Sequence, residues 1–110
     1  MNTLRQQRIE KLKEFLANDP EDSFTKFALA LEYVNISEYH TALTIFEDLR
    51  KNDPDYIGLY YHLGKLYEVL DDENQAVITY KEGIGVARKA NDEHAASELR
   101  EALSELEIDE

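Results

Sequence analysis

The sequence predicts an all-α fold, an α-α superhelix of antiparallel helix hairpins with about six helices. Three observations predict it. The first is a repeat: Asn18-Asp19-Pro20 recurs 34 residues on as Asn52-Asp53-Pro54. At the same offset Leu29 returns as Leu63, Ala30 as Gly64, Tyr33 as Tyr67, Ala42 as Ala76 and Phe46 as Tyr80. A self-similarity period of about 20 to 50 residues marks stacked supersecondary units. The second is periodicity: apolar residues recur at helical spacing between cap signals, and no β-type alternation competes. The third is the shortness of the connections. Four Gly and two Pro in 110 residues leave little room for loops, so consecutive helices must double back on one another.

The first helix is expected at about 3–17, with Leu4, Ile9, Leu12, Phe15 and Leu16 near one face. Asn18 can supply the left-handed residue that ends it. Asp19 can then cap a second helix, about 20–35, with Pro20 at its first position, where a missing N–H costs nothing. Ser37 is expected to cap a third, about 38–51, with Tyr39, Ala42, Leu43, Phe46 and Leu49 inward. The second Asn-Asp-Pro triplet closes that helix and opens a fourth, about 54–70. Asp72 followed by Gln75 is a capping-box pattern for a fifth, about 73–90. Asn91 and Asp92 start a sixth, about 92–107. Its stripe is Ala95, Leu99, Ala102, Leu103 and Leu106 on an otherwise charged helix.

On these residues the chain resembles the tetratricopeptide repeat family, as a small two-repeat protein. Residues 23–56 and 57–90 read as two repeats. The second carries Tyr60, Leu63, Gly64, Tyr67, Ala76, Tyr80 and Gly83 at the family's large and small positions, and departs with Arg88 where Pro is expected. The first carries Leu29, Ala30, Tyr33, Ala42, Phe46 and Pro54, and departs with Lys26 at a bulky position and Leu49 at a small one. Residues 1–19 read as the second half of a preceding repeat, with Arg8 where Ala is expected. Residues 91–110 read as a capping helix and acidic tail, and the whole of 1–110 as a single domain. The small residues let helices approach closely, and the aromatics fill the gaps between them. Gly83 is explained in this way; Gly85 has no such explanation in the sequence.

The second helix carries an apolar stripe beyond its hairpin face: Phe24, Phe27, Leu31 and Val34. A helix apolar on two faces either buries both or displays one. The resemblance implies that this stripe, with Asn35, lines the concave groove where such proteins hold a partner. It places Tyr61, Lys65, Glu68, Gly58 and Val69 on the same side of the fourth helix, and His62 borders them as a ligand contact or a partly buried spacer. Three readings stay open: a core face covered by the first or sixth helix, a groove for a peptide or helix of a partner, or a face for self-association. Members that clamp a terminal carboxylate use Lys, Asn and Arg along the groove. Here Phe27, Leu31 and Tyr61 stand there with Lys65 alone basic, so an apolar or basic segment is the expected ligand.

Composition narrows the classes further. The net charge of −12 disfavours nucleic acid and anionic membranes, which are bound through Lys and Arg. Residues 1–17 carry four basic and two acidic side chains, whereas residues 91–110 carry one and eight. No apolar run is long enough for a membrane helix, and the start does not read as a signal peptide. The absence of cysteine excludes disulfides and fits a cytoplasmic setting. No cofactor is expected. His94 and Glu98 share a helix face but lack a third ligand, and Asp71-Asp72-Glu73 is explained by capping. No nucleophile or phosphate-loop pattern is present, so the chain is expected not to be an enzyme.

Overall fold

The structure, a computed structural model, describes residues 3–108. All six regular elements there are helices: α1 Leu4–Asn18, α2 Ser23–Asn35, α3 Tyr39–Asn52, α4 Gly58–Val69, α5 Glu73–Lys89 and α6 Glu93–Ile108. They form two compact units divided between Asp53 and Pro54, α1–α3 in one and α4–α6 in the other. The acidic tail expected at the end of 91–110 lies outside the described residues from 109 on.

Three turns share one geometry. Ser37, Asp71 and Asn91 adopt left-handed φ of 62°, 60° and 58°. After each, the chain closes the helix by a six-residue bond: Glu38 N–H to Tyr33 O, Asp72 N–H to Tyr67 O and Asp92 N–H to Ala87 O, all at 2.9 Å. This is the Schellman termination, usually built on glycine. Ser37 therefore ends α2 and does not cap α3, contrary to the expectation from the sequence. The position before α3 is Glu38, which makes no side-chain cap bond. Asp72 and Asp92 do cap, accepting from Gln75 N–H at 3.2 Å and Ala95 N–H at 3.0 Å.

The Asn-Asp-Pro triplets work differently from expectation. Neither Asn18 nor Asn52 is left-handed. Asp19 closes α1 through its N–H to Phe15 O at 2.9 Å, and Asp53 closes α3 onto Leu49 O at 2.7 Å. Proline cannot continue the helix that ends before it, and no helix opens at Pro20 or Pro54, so each triplet is a stop signal alone. α2 waits for Asp22, whose carboxylate accepts from Thr25 Oγ1 at 2.5 Å and Thr25 N–H at 2.9 Å. Those bonds, the hydroxyl's first, hold Asp22 below the usual carboxylate range. α4 starts still later, at Gly58.

In the first unit α2 is the central helix, with α3 on one side and α1 on the other. Leu29, Ala30, Ala42, Phe46 and Leu49 are the buried core. α1 contributes little. The sequence put five apolar residues on its inward face, but only Ile9 is buried, and Leu4 and Phe15 are 76% and 58% exposed. In the second unit α4, α5 and α6 all meet. Leu59, Tyr60, Leu63, Tyr80, Ala87 and Leu99 form its core, and α6 buries Ala96 rather than the expected Ala95.

Two glycines explain the close approach of helices within this second unit. A Cβ on Gly64 would lie 2.2 Å from Cε1 of Tyr80, and a Cβ on Gly83 would lie 2.4 Å from Cβ of Tyr60. Gly85 has nothing within 4 Å of such a Cβ and is exposed. It sits in the interior of α5 with no packing role. Gly85→Ala is therefore expected to raise stability by about 1 kcal/mol, the helix-propensity difference, as read from urea unfolding.

Candidate partner-binding faces

The expected site residues fall in both units. On α2, the Asp22 cap and the buried Lys26 fix the start of the helix. Lys26 is only 4% exposed, with its ammonium 2.9 Å from Asp48 and 3.2 Å from Glu21. One turn of helix orients the neighbours. Phe24 stays outside, 67% exposed. Phe27 turns towards α3, half-buried, with its ring 6.3 Å from that of Phe46 at a tilt of 56°. Leu31 and Val34 are half-buried, and Asn35 is exposed at the end of the helix. α1 covers a different part of α2: Arg8 lies 3.4 Å and Arg5 3.9 Å from Glu32, and Lys13 sits 5.9 Å over the Tyr33 ring. The stripe is thus neither sealed nor wholly free, and Phe24 is its open point.

On α4 the expected residues form a local chain of contacts. The rings of Tyr61 and His62 meet edge to face at 5.5 Å. Lys65 Nζ lies 5.5 Å from the centre of the Tyr61 ring and 3.7 Å from Glu68. Glu68 also accepts from the hydroxyl of buried Tyr80. Burial, and then that bond, push the Tyr80 phenol well above its usual range. Glu68 is therefore partly committed to holding the core tyrosine in place. Burial lowers the pKa of His62, opposed by the nearby Glu98 charge.

α6 supplies what the sequence reading missed. A cleft of about 160 Å³ lies between α4 and α6, with Tyr61 and Lys65 on one wall and Glu98, Glu101 and Glu105 on the other. A neighbouring hollow of about 220 Å³ is walled by Tyr61, His62, Ala95 and Leu99. A wider hollow, about 480 Å³, opens beside the α4–α5 turn among Glu68, Asp71, Asp72 and Glu73. The three α6 glutamates are spaced i, i+3, i+7, which was legible as one helix face. That this face is turned to α4 was not legible, because it depends on how the Asn91 turn aims the helix.

His94 and Glu98 approach to 3.8 Å at an exposed surface. No group of three or more metal-ligating side chains occurs among the described residues. No helix there is long and apolar enough to cross a membrane.

Helix hairpins, glycines pressed on buried tyrosines and a 34-residue recurrence define a helical-repeat protein of the kind that serves as a protein–protein interaction module. No family model matches the chain. It is similar to a tetratricopeptide repeat domain protein from Salinibacter ruber, solved by solution NMR. The two are 49% identical, the match covers 84% of this chain and 93% of that one, and the TM-score is 0.80. The chain belongs to the tetratricopeptide repeat family. It is also 28% identical over 78 residues to a TPR repeat-containing protein of Methanocaldococcus jannaschii, covering 71% of this chain and only 24% of that relative's length. The TPR2B domain of yeast Sti1, in its complex with pHsp70, is alike in fold. Its TM-score is 0.85 at 14% identity, over 93% of this chain and 82% of that one.

Proposed function

We propose that residues 1–110 act as one non-catalytic tetratricopeptide domain, with repeats at 23–56 and 57–90, that binds an apolar or basic segment of a partner protein. The α2 stripe of Phe24, Phe27, Leu31, Val34 and Asn35 and the α4 set of Tyr61, His62, Lys65 and Glu68 are the binding residues. The observation that carries this reading is Phe24. A large aromatic ring held two-thirds in solvent on a well-capped helix gains nothing for the fold and is the kind of residue that anchors an interface. The acidic wall of Glu98, Glu101 and Glu105 beside Tyr61 favours a basic ligand over an acidic one. The Sti1 domain seen with pHsp70 supports a protein segment as the class of ligand. The absence of cysteine is in keeping with action in the cytoplasm.

Phe24→Asp tests the reading, because the exposed site predicts a change in stability within about 0.5 kcal/mol. The folded variant is expected to lose partners that the native protein captures in a pull-down. An unchanged partner set would rule out α2 as the binding face. A change in the protein's own mass instead, by light scattering, would assign the same face to self-association.

A further inference from the structure

We infer that α1 carries a second, separate interaction surface, which docks on the acidic α4–α6 cleft of another copy of this chain. In the 34-residue register Arg8, Leu12 and Phe15 of α1 correspond to Ala42, Phe46 and Leu49 of α3. The α3 residues are all fully buried. Their α1 counterparts are exposed, half-buried and 58% exposed. Within its unit α1 meets α2 and not α3. The open side of the helix carries Leu4, Arg8, Lys11 and Phe15 at i, i+4, i+7 and i+11, all exposed. Two cations therefore sit between two apolar side chains along a stripe about 16 Å long.

The cleft between α4 and α6 has the complementary character. Glu98, Glu101 and Glu105 form a carboxylate row about 10 Å long, facing the half-open ring of Tyr61 and Lys65. α1 carries four basic and two acidic side chains; α6 carries one basic and five acidic. Lys65 offsets only one of the three carboxylates, and a second copy's α1 offers the cleft further positive charge flanked by apolar groups. Arg8 already bonds Glu32 at 3.4 Å, whereas Lys11 is exposed and unpaired among the described residues, so Lys11 leads the contact. Because the two surfaces differ, the contact is heterologous, and each pair keeps one free α1 and one free cleft.

The test is the mass of the intact protein by light scattering across a wide concentration range, at low and high salt. Native protein is expected to grow in mass with concentration and to return to monomer at high salt. Lys11→Glu and the double variant Glu101→Lys/Glu105→Lys are each expected to stay monomeric while keeping native helicity. Mixing the two is expected to restore a complex, since one variant retains the acidic cleft and the other the basic helix. Native protein that stays monomeric throughout overturns the inference. So does association that ignores salt, or variants that associate as the native chain does. Any of those results leaves ligand capture through Phe24 untouched.

Discussion

Gly83→Ala is expected to lower stability by about 3 kcal/mol, near the upper end for an overpacked core. The added Cβ would lie 2.4 Å from Cβ and 2.9 Å from Cγ of Tyr60, and 3.0 Å from Cδ1 of Leu99. None of these can step aside. Tyr60 and Leu99 are buried, a Cβ moves only with its backbone, and the Tyr60 hydroxyl is anchored by a 2.5 Å bond to Pro54 O. Relief requires α4 and α5 to separate, which opens the core on either side of the contact. The helix-propensity gain of about 1 kcal/mol from glycine to alanine opposes this loss and does not cancel it. For a chain of this size the net effect is a drop in Tm of roughly 10–20 °C. Gly85→Ala is the internal control, two residues along the same helix with open space around it. Equal stabilities for the two variants in urea unfolding would refute the packing account.

Lys26→Ala is expected to cost about 2 kcal/mol, and Lys26→Met about 1 kcal/mol or less. The difference arises from what the side chain does. Lys26 occupies the position that Tyr60 fills in the second repeat, and its four-carbon stem is buried as that ring is. The ammonium emerges between Asp48 and Glu21, both well exposed. Those carboxylates stay hydrated when the lysine is removed, so the packing loss dominates the charge loss. Methionine keeps the stem volume and alanine does not. Thermal and urea unfolding of the two variants separate the contributions, and equal losses would mean that charge decides.

The same residue carries a pH dependence. Burial draws the ammonium's pKa down, while the bonds to Asp48 and Glu21 raise it, and the net direction is upward from 10.5. A group whose folded pKa lies above its unfolded value stabilises fully below the unfolded value. That contribution fades as pH climbs past 10.5 and through the folded value. The stability gap between native protein and Lys26→Met should therefore shrink in strongly alkaline buffer and stay constant between pH 6 and pH 9.

The site was only partly legible for related reasons. Phe24, Phe27, Leu31 and Val34 are visible as a stripe because helical spacing is a local rule. Their unequal fates are not visible. Phe27 meets Phe46 some nineteen positions away, while Phe24, one turn earlier, meets nothing that covers it. Glu68 looked like a groove residue and is also the acceptor for Tyr80. Lys26 looked like a departure from the repeat and is a buried stem with a paired head. In the sequence α6 reads as a charged capping helix, and three of its carboxylates, Glu98, Glu101 and Glu105, line a cleft.

The sequence by itself determined the helices, their order, their 34-residue recurrence and the small-against-large positions that let hairpins close. Each of these is set by contacts within a turn or by spacing along the chain. It misplaced the helix starts at Ser23 and Gly58 and did not single out the left-handed residues Ser37, Asp71 and Asn91. Several residues near each helix end can serve as stop or cap, and competition among backbone hydrogen bonds selects one. Only the tertiary structure decided which apolar residues remain in water and which carboxylates face an aromatic ring. Those outcomes depend on how helices distant in sequence approach one another, a property of the packed unit that no single segment encodes.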